Sequence, residues 1–310
     1  MMSDHTDEYE IFEARFKTLL PEEYRDSYED VQPVSMGSAG LNFGPDGRVA
    51  WDEMWASFCD LAMAGGPPHR GKLLQAASKA EIDAKPGRYR QVTEELCRGI
   101  EMVTGLAAEP SSVSGWIDVD CPSRSMTGWL VRAINMENVS AHSDGMVLHL
   151  PAGPDFRLEK EIKNVITAIA KTSHYWLGHT SVAQHRAIAD LFEMMESESP
   201  LIQAPFSTQN TRETVFDNLR DTIAHEIHSL SGLHATGRES HGWLGVNCAN
   251  TGLAIWTMRA VVVSNALCRR EEDSVYIPVN PSADPSGVRI VDLFRRACRI
   301  AGLSKAASRS

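Results

Sequence analysis

The sequence has no excess of basic residues, no cysteine pair at CxxC spacing and no unbroken apolar run long enough to cross a bilayer. Lys and Arg total 30 against 41 Asp and Glu, a net charge of −11. Non-specific nucleic-acid binding needs a basic surface that displaces counterions, so no nucleic-acid partner is expected. The longest apolar stretch, Gly252 to Leu267, is interrupted by Arg259 and Asn265 and falls short of the ~20 residues of a spanning helix. The N-terminus is acidic where a signal peptide is basic, with no apolar core behind it. Neither a membrane nor secretion is therefore expected. The six cysteines (Cys59, Cys97, Cys121, Cys248, Cys268 and Cys298) form no regular framework. Without a signal peptide they read as reduced thiols, which points to the cytoplasm.

What is present is ordinary globular composition. The 310 residues are 43% hydrophobic and 23% charged, enough for one large or two modest cores. Charge is unevenly placed: residues 1–30 hold ten acids and three bases. Ile11, Phe12, Phe16, Leu19 and Leu20 in that segment have the spacing of a short amphipathic helix, which predicts a helix docked on the body.

A repeat organises the rest. Gly115-Trp116-Ile117-Asp118-Val119-Asp120-Cys121 matches Gly242-Trp243-Leu244-Gly245-Val246-Asn247-Cys248 at an offset of 127. Without a gap, the same offset carries Trp129 to Trp256, Arg132 to Arg259, Asn138 to Asn265 and Pro151 to Pro278. Nine of the 37 positions from 115 to 151 are identical to their counterparts, and two of the nine are tryptophans, the residue least expected to coincide. Repeats of this kind set the architecture before any local reading does.

Periodicity predicts helices over 49–64, 91–105, 123–138 and 156–170 in the first copy. A strand falls at 115–121, and a hairpin turns at Asp144-Gly145. The second copy predicts helices near 181–195, 212–231, 250–264 and 289–301, a strand at 242–248 and a hairpin over 266–278. The loop 197–211 reads as internal to that copy. The expected fold is α+β, an internal duplication of an ααβαββα unit with its halves related by a pseudo-twofold axis. Residues 1–44 form the acidic segment, 45–171 the first repeat and 172–310 the second, together one compact body.

Several residues are candidates for chemistry. Cys121 and Cys248 end a strand just before a helix N-terminus, where an anion is stabilised. The same position also suits a small apolar residue that closes strand against helix, and its repetition in both copies favours packing. Asp118 and Asp120 alternate on one strand face, suited to acid–base work or Mg²⁺, or simply to solvent. Their counterparts are Gly245 and Asn247.

Gly65-Gly66-Pro67-Pro68-His69-Arg70-Gly71-Lys72 has no counterpart in the second copy. It reads as a helix stop whose basic residues are free to grip an anion. It is not a P-loop. His225, His228 and Cys248 are weak metal candidates whose spacing matches no zinc motif. His174, His179 and His185 read as ordinary surface or cleft histidines in a loop-to-helix region. Trp116 and Trp129 are either core or ligand-stacking residues.

The sequence therefore points to a cytosolic small-molecule enzyme acting on an anionic substrate in a cleft formed mainly by the first repeat. Cys121, Asp118 and Asp120 would be catalytic, with His69, Arg70, Trp116 and Trp129 binding the ligand. The alternative is a non-catalytic ligand-binding or assembly protein. No motif names a cofactor or a reaction type, and a homodimer is the assembly to test for.

Overall fold

The computed structural model describes residues 3–32, 40–55, 57–206, 213–236 and 241–307. Helix makes up 50% and strand 13% of it, which is a mixed α+β chain. The chain divides into two units, residues 21–185 (the mid-chain unit) and residues 1–20 with 186–310 (the end unit). The division falls inside a helix. Among the described residues no helix is long and apolar enough to cross a membrane.

Helix α1 (Ser3–Leu19) belongs to the end unit. Phe12, Phe16, Leu19 and Leu20 are buried, whereas Ile11 is 53% exposed and lies off the apolar stripe.

The first α-helix of the mid-chain unit is α2 (Lys79–Ala84), started by a capping box between Ser78 and Glu81. Helix α3 (Pro86–Thr104) follows and ends on Gly105 at φ 71°, a left-handed position that favours glycine. Strands β1 (Ala108–Pro110) and β2 (Trp116–Asp120) come next, then α4 (Arg124–Met136) with its N-cap at Ser123. Strands β3 (His142–Asp144) and β4 (Val147–Pro151) form the expected hairpin, closed by a π-helical turn and α5 (Lys163–Gly178). The sheet is antiparallel in the order β1-β2-β4-β3. Ile117, Val119, Leu148 and Leu150 are fully buried on one face, as alternation requires. Helices α3 and α5 pack closely at Gly99, where a Cβ would sit 2.3 Å from Ile166 Cδ1.

The end unit continues with α6 (Val182–Glu198), α7 (Glu213–Ser231), β5 (Ala235–Thr236) and β6 (Trp243–Asn247). It closes with α8 (Thr251–Val262), β7 (Arg269–Glu271), β8 (Ser274–Pro278) and α9 (Val288–Ala307). Its sheet has the order β5-β6-β8-β7. Trp116 pairs with Pro151 and Trp243 with Pro278; Asp120 pairs with Val147 and Asn247 with Ser274. All five β2–β4 pairings recur 127 residues on, in β6–β8. Backbone bonds beyond the ladders recur too, for example Cys121 N to Met146 O and Cys248 N to Asp273 O, both 2.9 Å.

Three expectations are corrected. The helix over 49–64 is a 3₁₀ turn at Trp51–Glu53 followed by irregular chain. Its backbone finds side-chain partners (below) in place of the bonds a helix would supply. The closing helix runs to Gly178, past the expected 170, so His174 lies on a helix and not in a loop. The expected order ααβαββα lacks the edge strand that each sheet has, because β1 and β5 are too short for an alternation signal. The expected loop 197–211 is described only to Phe206, and the rest of it lies outside the described residues.

Candidate functional site

The mid-chain unit buries an ion pair. Glu137 caps the C-terminus of α4 and is fully buried; Lys171 on α5 is 1% exposed. Their side chains meet at 3.0 Å. Glu137 also accepts the backbone N–H groups of Ala62 at 3.0 Å and His69 at 2.8 Å. Lys171 also donates to Asp60 O at 3.0 Å and Cys59 Sγ at 2.9 Å. Buried charges need such pairing and complete hydrogen bonding. Burial pulls the Lys171 pKa down, but Glu137 and Cys59 beside it more than compensate and raise it above the usual lysine value. Together the two charges hold residues 59–62 and 69 in a non-helical path. A Cβ on Gly66 would lie 2.5 Å from Asp60 O, and Gly65 sits at φ 105°, so the Gly-Gly pair serves this fold-back.

Two tyrosines extend the network. Tyr24 donates to Asp60 Oδ1 at 2.9 Å and meets the Tyr175 hydroxyl at 2.9 Å, while Tyr175 reaches Cys59 O at 3.3 Å. Burial, first of all, pushes both phenols up.

In front of this scaffold lies a cavity of about 370 Å³. Asp52, Trp55 and Phe58 line it from the irregular segment, Met102 and Val103 from α3, and Ala170, Ser173, His174, Leu177 and Gly178 from α5. The imidazole on its wall, His174, is not isolated. His174 Nε2 lies 3.1 Å from His179 Nε2, and His179 Nδ1 lies 2.5 Å from Glu23 Oε2. A carboxylate can only accept, so His179 donates from Nδ1 and accepts at Nε2. His174 then donates from Nε2, which leaves its Nδ1 as the atom with a lone pair. Burial, then the neighbouring His179, hold His174 below the usual imidazole value, so it is neutral near pH 7 and suited to accept a proton.

The residues expected from sequence occupy two other places. His69 Nε2 pairs with Asn164 Oδ1 at 2.9 Å, and burial lowers its pKa. Arg70 is held by its backbone to Glu137 O and Asn138 Nδ2, and burial lowers its pKa too. Asp118 Oδ1 binds His149 Nδ1 at 2.7 Å. Asp120 is exposed at the strand end, opposite Val147. Cys121 is buried, and burial pushes its thiol up. Trp116 and Trp129 are buried, the latter 5.7 Å from the Trp176 ring.

Asp118 and His149 belong to a row running across the sheet, Glu109–Asp118–His149–His142. In the end unit the same row is Thr236–Gly245–Tyr276–Arg269, with the Arg269 guanidinium 3.9 Å over the Tyr276 ring.

His228 Nδ1 pairs with Leu233 O at 3.1 Å, and its ring lies 4.5 Å from that of His234. Cys248 is buried and His225 lies on α7. Among the described residues no group of three or more His, Cys, Asp or Glu is placed to hold a metal ion.

Sequence reasoning missed Glu23, Cys59, Glu137 and Lys171, and read His174 and His179 as unremarkable. One signal was available: from Val165 to Ser173 Lys171 is the single charge in a run of apolar and small residues, and a lysine inside a buried helix needs an anion. Glu23 leaves no such trace, because it meets His179 from 156 positions away. No protein-family model, no curated protein and no solved structure matches this chain.

Proposed function

We propose that the chain is an internally duplicated small-molecule enzyme whose mid-chain copy carries an acid–base site in the 370 Å³ cavity. The constant offset of the two sheets supports the duplication. Divergence between the copies supports placing the chemistry in one of them: at that offset Ser264 stands for Glu137 and Cys298 for Lys171. The free thiols suit a reducing compartment such as the cytoplasm.

One observation carries the chemistry, the Glu23–His179–His174 chain ending at the cavity wall. Glu23 orients His179, His179 orients His174, and His174 Nδ1 exchanges the proton. Trp55 and Phe58 offer apolar faces for a planar substrate. Among the described residues the lining carries Asp52 and neither Lys nor Arg, which suits a neutral substrate better than the anionic one expected from sequence.

Turnover of 4-nitrophenyl acetate, a neutral aromatic ester, tests this. His174→Gln should lower its rate by about 10²–10⁴-fold and remove the imidazole limb of the pH profile. If indole binds but the ester is turned over no faster than in buffer, the protein binds ligands without catalysis.

A further inference from the structure

Lys171 directs one of its N–H bonds to a sulfur. Nζ lies 2.9 Å from Cys59 Sγ, although sulfur is a weak acceptor and a buried ammonium gains more from oxygen. The amine is 1% exposed, whereas Cys59 is partly open to solvent. Solvent, and with it a small oxidant, can therefore approach Cys59, while the nitrogen lies behind it within bonding reach. Glu137, 3.0 Å from the same nitrogen, is placed to take a proton from it. Burial pushes the Cys59 thiol up, and the Lys171 ammonium pulls against that. Cys97 and Cys298, by comparison, are pushed up to about 12, first by burial and then by a like-charged neighbour.

We propose that Cys59 and Lys171 are an oxidative crosslinking site, forming a sulfenamide bond between Sγ and Nζ when the protein meets hydrogen peroxide. In the first step the sulfur attacks one peroxide oxygen and the O–O bond breaks. Cys59 becomes a sulfenic acid, oxidised by two electrons, and the other oxygen leaves as water. In the second step Lys171 passes a proton to Glu137. Its lone pair attacks the sulfur, the S–O bond breaks, and the departing hydroxide takes a second proton from nitrogen and leaves as water. Thiol, amine and peroxide thus give sulfenamide and two waters. The buried pair ends as a neutral sulfenamide beside a neutral carboxylic acid, so no uncompensated charge opposes the product. Phe58 and His174 flank this bond at the cavity, so the crosslink would fix that wall. This consequence rests on the function proposed above; the bond itself does not.

Peptide mass spectrometry of the full chain, reduced and then treated with hydrogen peroxide, tests the bond. The expected product joins the Cys59 and Lys171 peptides, is two hydrogens lighter than their sum, resists trypsin after Lys171 and is reversed by dithiothreitol. Lys171→Arg keeps the charge and should abolish the product, with Cys59 proceeding to sulfinic acid. Wild-type protein in which Cys59 reaches sulfinic acid, or remains a thiol, while trypsin still cleaves after Lys171 would overturn the proposal. That wild-type readout stands even if the variant fails to fold.

Discussion

Asn138 and Asn265, 127 positions apart, make the same bond: each donates its side-chain N–H to a backbone carbonyl, Arg70 O and Ser199 O, at 2.7 Å. Both are left-handed, at φ 59° and 65°, and the backbone carbonyl of each asparagine accepts an N–H, Asn138 O from Leu74 at 2.8 Å and Asn265 O from Ile202 at 2.9 Å. The loop bearing His69 and Arg70, which had no counterpart in sequence, is thus matched by residues 199–202. Asn138→Ala and Asn265→Ala should each cost about 1–3 kcal/mol, from a part-buried carbonyl left without its side-chain donor and a strained φ. Urea unfolding of the two variants measures this, and a large loss at one site only would break the equivalence.

The Glu137–Lys171 pair is fully desolvated. Removing one member, as in Lys171→Met, should cost about 3–5 kcal/mol because the other charge is left buried and alone. Glu137→Leu with Lys171→Met should cost less than the two single losses added together. A double-mutant cycle in urea reads the difference, and strict additivity would contradict the pairing.

Helix α1 contributes Phe12 and Phe16 to the end unit, with Phe12 5.2 Å from the Trp256 ring and Arg259 5.1 Å over the Phe16 ring. Phe16→Ala should lower stability by about 3–5 kcal/mol. A thermal melt unchanged by that substitution, or by deletion of residues 1–20, would mean the helix does not dock.

Burial, with His149 alongside, lowers His142 to about 4. A histidine depressed in the folded state binds its proton more readily when unfolded, so stability is lost as pH falls. The loss should run from the unfolded value near 6.5 down to about 4 and amount to roughly 3 kcal/mol. Urea midpoints across that window should fall in wild type and fall less in His142→Gln; equal slopes would contradict this.

Elements with strong periodicity were legible from sequence. The stripe Met126–Trp129–Leu130–Ala133–Ile134 gave α4, and Asp144-Gly145 marked the β3–β4 turn at Gly145, φ 59°. The segment 49–64 was misread because its apolar residues resemble a helical stripe, while the Glu137 and Lys171 side chains that hold its backbone lie far along the chain. The candidate site was less legible for the same reason. Spacing along a strand reveals Asp118 and Asp120, but Glu23 meets His179, and through it His174, only in the tertiary fold.

The most direct measurement of the central claim follows the histidine ring signals by NMR while indole is added near pH 7. The expected result is that His174 and His179 shift on binding while His149 and His142 do not, and that Phe58→Ala weakens the effect. Shifts confined to His149 and His142, with His174 unmoved, would place the ligand on the sheet row and contradict an acid–base site in the cavity.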